Sequence, residues 1–204
     1  MNIHMRLRHF LILLPLLAAT SLRAQNGKMM WDFGFTYQFL SEESVFPASG
    51  PTPNVVVQPF YGLTGGLNYV LWHSNDKVSL LANPGALLSV RLGGGGVNIF
   101  TQAPTYLAFH AGAGSTPFNE QRVGIGAGVG VVPGYLYYKT FGFPSYQAGV
   151  AMVNPGAMAD LTILGRSTVY KIRVNWSLTK SRWQDIDALQ VRYSTFGIGV
   201  LYVF

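Results

Sequence analysis

The chain is 204 residues long, 49% apolar and only 11% charged, with a formal net charge of +6 and no cysteine. A soluble domain carries about a quarter charged residues, so this balance argues against an ordinary soluble fold, and the missing cysteines exclude a disulfide or thiolate–metal framework. Past the first two dozen residues no run reaches the ~18 apolar residues of a membrane helix. A transmembrane β-barrel reconciles these facts, because its strands alternate lipid-facing and lumen-facing side chains.

Arg6 and Arg8 precede an apolar stretch over residues 10–19, and Ser21-Leu22-Arg23-Ala24 supplies a small-residue exit. That layout predicts a secretory leader over 1–24, cleaved after Ala24. Its apolar stretch is too short to cross a bilayer as a helix. Residues 25–204 are then expected to form one domain. Losing Arg6, Arg8 and Arg23 lowers the formal charge from +6 to +3, and no dense basic tract remains. Nucleic acid is not an expected partner.

Eight strands follow. Over 31–39, Trp31, Phe33, Phe35, Tyr37 and Phe39 alternate with Asp32, Gly34, Thr36 and Gln38, which in a strand sends the two sets to opposite faces. Residues 61–71 set Tyr61, Leu63, Leu67, Tyr69 and Leu71 against Gly62, Thr64, Gly66 and Asn68. After a polar turn at 74–77 the strand over 78–92 returns, with Leu88, Val90 and Leu92 against Ser89 and Arg91. Residues 105–113 and 123–131 form the next pair, the latter alternating Val123, Ile125, Ala127, Val129 and Val131 with glycines 124, 126, 128 and 130. Strands over 157–164 and 169–178 follow, and the last covers 189–204. In 169–178, Tyr170, Ile172, Val174, Trp176 and Leu178 alternate with Lys171, Arg173, Asn175 and Ser177. A cation on the lipid face near the midplane costs about 2–4 kcal/mol, so Lys171 and Arg173 are expected inside.

An all-β, closed antiparallel transmembrane barrel of about eight strands is therefore predicted. Its short turns at 74–77, 115–120 and 165–167 lie on one side, and longer connections at 41–58, 93–104, 139–155 and 179–188 on the other. With the N-terminus in the periplasm, the long connections face outward, as in outer-membrane barrels. Asn83-Pro84-Gly85-Ala86 and Asn154-Pro155-Gly156-Ala157 are expected to mark bulges or strand rims. The alternative is a pair of true turns and ten strands.

The C-terminal run Phe196, Ile198, Val200, Tyr202, Phe204 resembles the assembly signal of outer-membrane barrels, in which a terminal aromatic caps an apolar parity. Residues 103–115 and the glycine-alternating strand after them resemble small uncharacterised outer-membrane barrels of the Bacteroidota, of the OmpX and OmpA barrel type. The resemblance implies a bacterial outer-membrane location and handling by the barrel assembly machinery during insertion, with Tyr202 and Phe204 as the signal. It implies no active site.

Asp32, Arg91, Asp160, Lys171 and Arg173 are expected to form a salt-bridged polar network that fills a lumen only wide enough for side chains. The inward glycines make room for Tyr106, Arg91 or Arg173. His73 and His110 are too far toward the periplasmic end for a lipid-modifying site, and two histidines do not make a zinc site. No catalytic residue, metal or cofactor is expected. The expected role is non-enzymatic, structural or interactive. Its partners would be outer-membrane lipid and another envelope protein, met through loops such as the one carrying Trp183. A lipid-modifying enzyme, a small-ligand barrel and a conducting pore are the alternatives.

Overall fold

A computed structural model describes residues 28–45, 52–93, 96–140, 147–166, 168–186 and 189–204. The predicted leader over 1–24, and Phe46 in the first long connection, lie outside the described residues. The strands are β1 (Met29–Val45), β2 (Asn54–Ser74), β3 (Val78–Gly93), β4 (Gly96–Gln102), β5 (Thr105–Gly112), β6 (Val123–Thr140), β7 (Gln147–Leu164), β8 (Val169–Ser177), β9 (Gln184–Ile186) and β10 (Leu189–Val203). All pair antiparallel with their neighbours.

The ring has eight members. β4 and β5 run end to end as one strand between β3 and β6, and the pairing of β1 with β10 closes the circle. Register does not change across their break at Ala103-Pro104: Gln102 faces Leu87 and Thr105 faces Pro84. β9 is a short hairpin partner of the start of β10. The β2–β3 turn holds Asn75 and Asp76 at positive φ and closes with the Lys77 N–H on the Ser74 carbonyl. This is the primed turn that suits strand twist, built from residues that tolerate the left-handed region.

The alternation resolves as expected. Met30, Asp32, Thr36, Gln38 and Leu40 are buried inside, whereas Phe33 and Phe35 face out, Phe35 with 69% of its surface exposed. Leu88, Val90, Leu107, Phe109, Ile125, Val129, Ile172, Val200 and Tyr202 share that outer surface. On β1 the outward apolar run from Trp31 to Phe39 covers nine residues, close to the 9–11 needed to cross a bilayer as a tilted strand.

Two expectations need correction. The strands are longer at the long-connection end than periodicity indicated: β1 continues to Val45, β2 starts at Asn54, and β7 starts at Gln147. Much of 93–104, expected as a loop, is strand β4. The pattern fades there because the inward residues Leu40, Phe60, Phe100 and Leu136 are themselves apolar, so alternation loses its contrast. The Asn-Pro-Gly sequences, in turn, are neither turns nor bulges. β6 and β7 stay in register through Pro155, and the register shift in β2–β3 lies between Val70 and Trp72. Each proline points its nitrogen where the ladder needs no donor. Gly85 bonds to Pro104 on the β5 side, leaving Pro84 to face β2 across an unpaired stretch. Pro155 faces β8 beyond that strand's end at Ser177.

Candidate functional site

The lumen is filled in layers. At the short-turn end Met30, Val70, Leu81 and Val203 form an apolar floor. Above it Asp32, Asp160, Lys171 and Arg173 converge from β1, β7 and β8. Arg173 donates to both oxygens of Asp160, at 2.8 and 2.9 Å, and reaches Asp32 at 3.4 Å. The Lys171 ammonium lies 3.1 Å from Asp32 and 3.7 Å from Asp160, and it donates to the Asn68 side chain at 3.0 Å. Asn68 in turn donates to Asp32 at 3.0 Å and accepts from Asn83. Two carboxylates face two cations in a site removed from water, which is the condition for tolerating buried charge.

Arg91 does not belong to this cluster, contrary to expectation. It points inward but near the opposite mouth, where its guanidinium donates to Gln58 at 2.5 Å. Register explains the separation: Arg91 sits opposite Asn98, near the β3–β4 hairpin, far along the strand from Asn83. His110, weighed as a catalytic residue, joins the cluster instead, with Nε2 3.4 Å from Asp160. Its ring rests on Gly126, where an added Cβ would lie 2.4 Å from the imidazole. Within the glycine row, Gly126 therefore makes room for His110, a residue the sequence pattern had not matched to it. Ser79 lies opposite His110 in the β3–β5 ladder, but Ser79, His110 and Asp160 are all buried. His73, by contrast, is an exposed residue near the end of β2, 3.2 Å from Asp76 in the turn that follows.

A second layer of Tyr106, Ala108, Val132 and Met158 lies above the charges. A larger apolar cluster of Leu40, Phe60, Phe100, Leu136, Val150, Met152, Val191 and Tyr193 fills the other half of the bore. Sequence reasoning placed only polar side chains inside and missed this plug. Its one available signal was the switch of apolar residues to the inward parity at Leu40 and Phe60.

Past the plug the wall rises as a rim. Glu42 accepts from Tyr138 at 3.0 Å. Glu43 accepts from Arg192 at 2.7 Å and from Lys180. These two cations, Arg192 foremost, hold its carboxyl down to about 2 from an ordinary 4.5. Arg192 also lies over the Trp183 ring, 4.4 Å from its centre. On the other flank of β1, β2 from Asn54 to Phe60 pairs among the described residues with β1 alone, since its ladder with β3 begins at Tyr61. Val55 and Val57 there are 55% and 57% exposed, and Val56 is also exposed.

No family model matches the chain. No curated protein matches it either. Among solved structures it is similar to Ail, the attachment invasion locus protein of Yersinia pestis, crystallised with the heparin analogue sucrose octasulfate. That match has 11% identity and a TM-score of 0.43, covering 85% of this chain and 99% of that one. It is also similar to Neisserial surface protein A, at 8% identity and a TM-score of 0.41, covering 83% and 95%. The N-terminal β-barrel domain of Pseudomonas aeruginosa OprF matches at 12% identity and 0.37, covering 83% and 97%. Likenesses this distant carry nothing about activity, and the fold assignment rests on the strand pairing above.

Proposed function

We propose that the chain is a non-enzymatic barrel of the bacterial outer membrane, inserted with its short turns in the periplasm, that holds a polypeptide-binding rim outside the cell. The outward band of aromatic and aliphatic side chains supports the membrane location: an apolar surface of this extent on a soluble protein would drive association. Its lipid partner is the bilayer around that band. Tyr202 and Phe204 face outward at the end of β10, where the barrel assembly machinery would read them during insertion. A conducting pore or a ligand-holding lumen needs an open bore, and the charge cluster and the Leu40–Phe60–Phe100 plug occupy this one.

The single observation that carries the interaction role is the side of β2 over Asn54–Phe60 that has no strand partner among the described residues. An exposed strand edge lined by valines is a template for a further strand, and soluble proteins blunt such edges because they recruit other chains. Main-chain pairing along Val55–Val57 would give affinity, and alternate side chains would give selectivity. Trp183, held against Arg192, would add an aromatic contact on the same rim.

A photo-crosslinking residue placed in turn at Val55, Val57 and Phe35 in living cells tests this. Cross-links to another polypeptide from the two rim positions are expected, the one from Val55 lost in a Val57→Pro variant, which removes an edge donor without touching the β1 ladder, with only lipid adducts from Phe35. Lipid adducts from all three positions would refute the interaction reading.

A further inference from the structure

We propose that the outer wall carries a specific site for one phospholipid of the periplasmic leaflet, whose acyl chain lies in a groove along β1, β2 and β3. The proposal rests on the membrane placement given above. A groove of about 820 Å³ opens on the lipid-facing side. Its floor is the facing pair Gly65 and Ala86, where the wall has almost no side chain. Leu63, Leu67 and Leu88 flank it, with Phe33 on one side and Pro84 on the other. Gly65 is short of space as well as of a side chain, since an added Cβ would lie 3.3 Å from the Phe33 ring.

Position and length name the occupant. The groove starts beside Trp31 and Phe204, which bond to each other through their backbones at the short-turn end, and it ends at the Leu63–Leu88 pair. From Leu67 to Leu63, as from Pro84 to Leu88, is four residue steps, or about 13 Å at ~3.3 Å each. At the ~40° tilt of barrel strands this is about 10 Å of depth, most of one leaflet in a hydrocarbon layer of about 25–30 Å. The groove therefore runs as an acyl chain runs, from the polar boundary toward the midplane. A water-borne partner cannot reach it there. A second copy of the barrel would have to fill this concave strip with its own convex wall.

The test uses the full folded barrel in detergent, with palmitoyl-oleoyl phosphatidylethanolamine as the added probe and native mass spectrometry as the readout. Wild type is expected to retain one phospholipid. Ala86→Phe fills the groove from its outer side without touching the lumen, and should weaken retention by about tenfold or more. Heat-modifiable gel migration of each sample reports folding. A wild type that neither folds in detergent nor enters membranes would defeat the membrane reading itself. A folded wild-type barrel that retains no lipid, or an Ala86→Phe barrel that retains it equally, would overturn the site alone. So would wild-type dimers that Ala86→Phe abolishes, since they would show the groove to be a protein interface.

Discussion

Replacing Asp160 with asparagine should cost about 3–5 kcal/mol, the usual penalty for removing one member of a buried ion pair. Asp160 takes two bonds from Arg173, at 2.8 and 2.9 Å, and stands 3.7 Å from Lys171. With Asp32 it balances those two cations. The amide keeps the side chain's size but leaves a net positive charge that Asp32 alone must hold. A single pair of unit charges about 4 Å apart, at an effective dielectric near 20, is worth about 4 kcal/mol, which agrees with the empirical range. Because whole domains are stable by only about 5–15 kcal/mol, the loss would be plain in a urea titration of the barrel in lipid vesicles, followed by tryptophan emission and by gel migration. Asp160→Asn combined with Arg173→Met restores a neutral cluster of Asp32 and Lys171, and should recover more than half of the loss. If the single variant costs under about 1 kcal/mol, or the double variant costs the sum of its parts, the cluster is not the charge-balanced plug described.

Two further outcomes follow from the same layers. Glu43, held near 2 by Arg192 and Lys180, contributes to rim stability fully above its unfolded value near 4.5, and this contribution disappears as pH falls toward 2. Protection against hydrogen exchange along residues 180–186 and 189–194, taken relative to the intrinsic rate at each pH, should therefore fall across that window, and Glu43→Gln should remove this fall while lowering protection at neutral pH. Gly126→Val would drive a side chain into the His110 ring and should destabilise the barrel by about 1–3 kcal/mol in the urea titration, with partial rescue by His110→Ala.

How much of this was legible in the sequence depended on contrast between the two faces of a strand. Over Trp31–Phe39 and Val169–Ser177 aromatic or aliphatic residues oppose polar ones, and both strands fell in the expected register with Asp32, Lys171 and Arg173 inside. Around Leu40, Phe60, Phe100 and Leu136 both faces are apolar, so a strand there reads as an irregular stretch, and the ends of β1, β2, β6 and β7 were missed along with the inner plug. Arg91 had the correct parity, but its height in the bore depends on register between strands, which a single strand's pattern does not contain. The same holds for His110, whose place beside Asp160 needs β5, β6 and β7 to be aligned. The bare edge over Asn54–Phe60 was invisible for a related reason: whether a strand has a neighbour on each side is a property of the sheet.

In the proposed membrane placement, successive side chains along each strand meet hydrocarbon and closed lumen in turn. Because the chain has no cysteine, single cysteines from residue 31 to residue 40 can each carry a nitroxide without removing a native thiol. In lipid vesicles, the spin labels should show high oxygen contact at 33, 35, 37 and 39 and low contact with both oxygen and a water-soluble nickel chelate at 34, 36 and 38. Uniform contact along the segment, or nickel access at the odd positions, would contradict the barrel as a membrane-spanning wall.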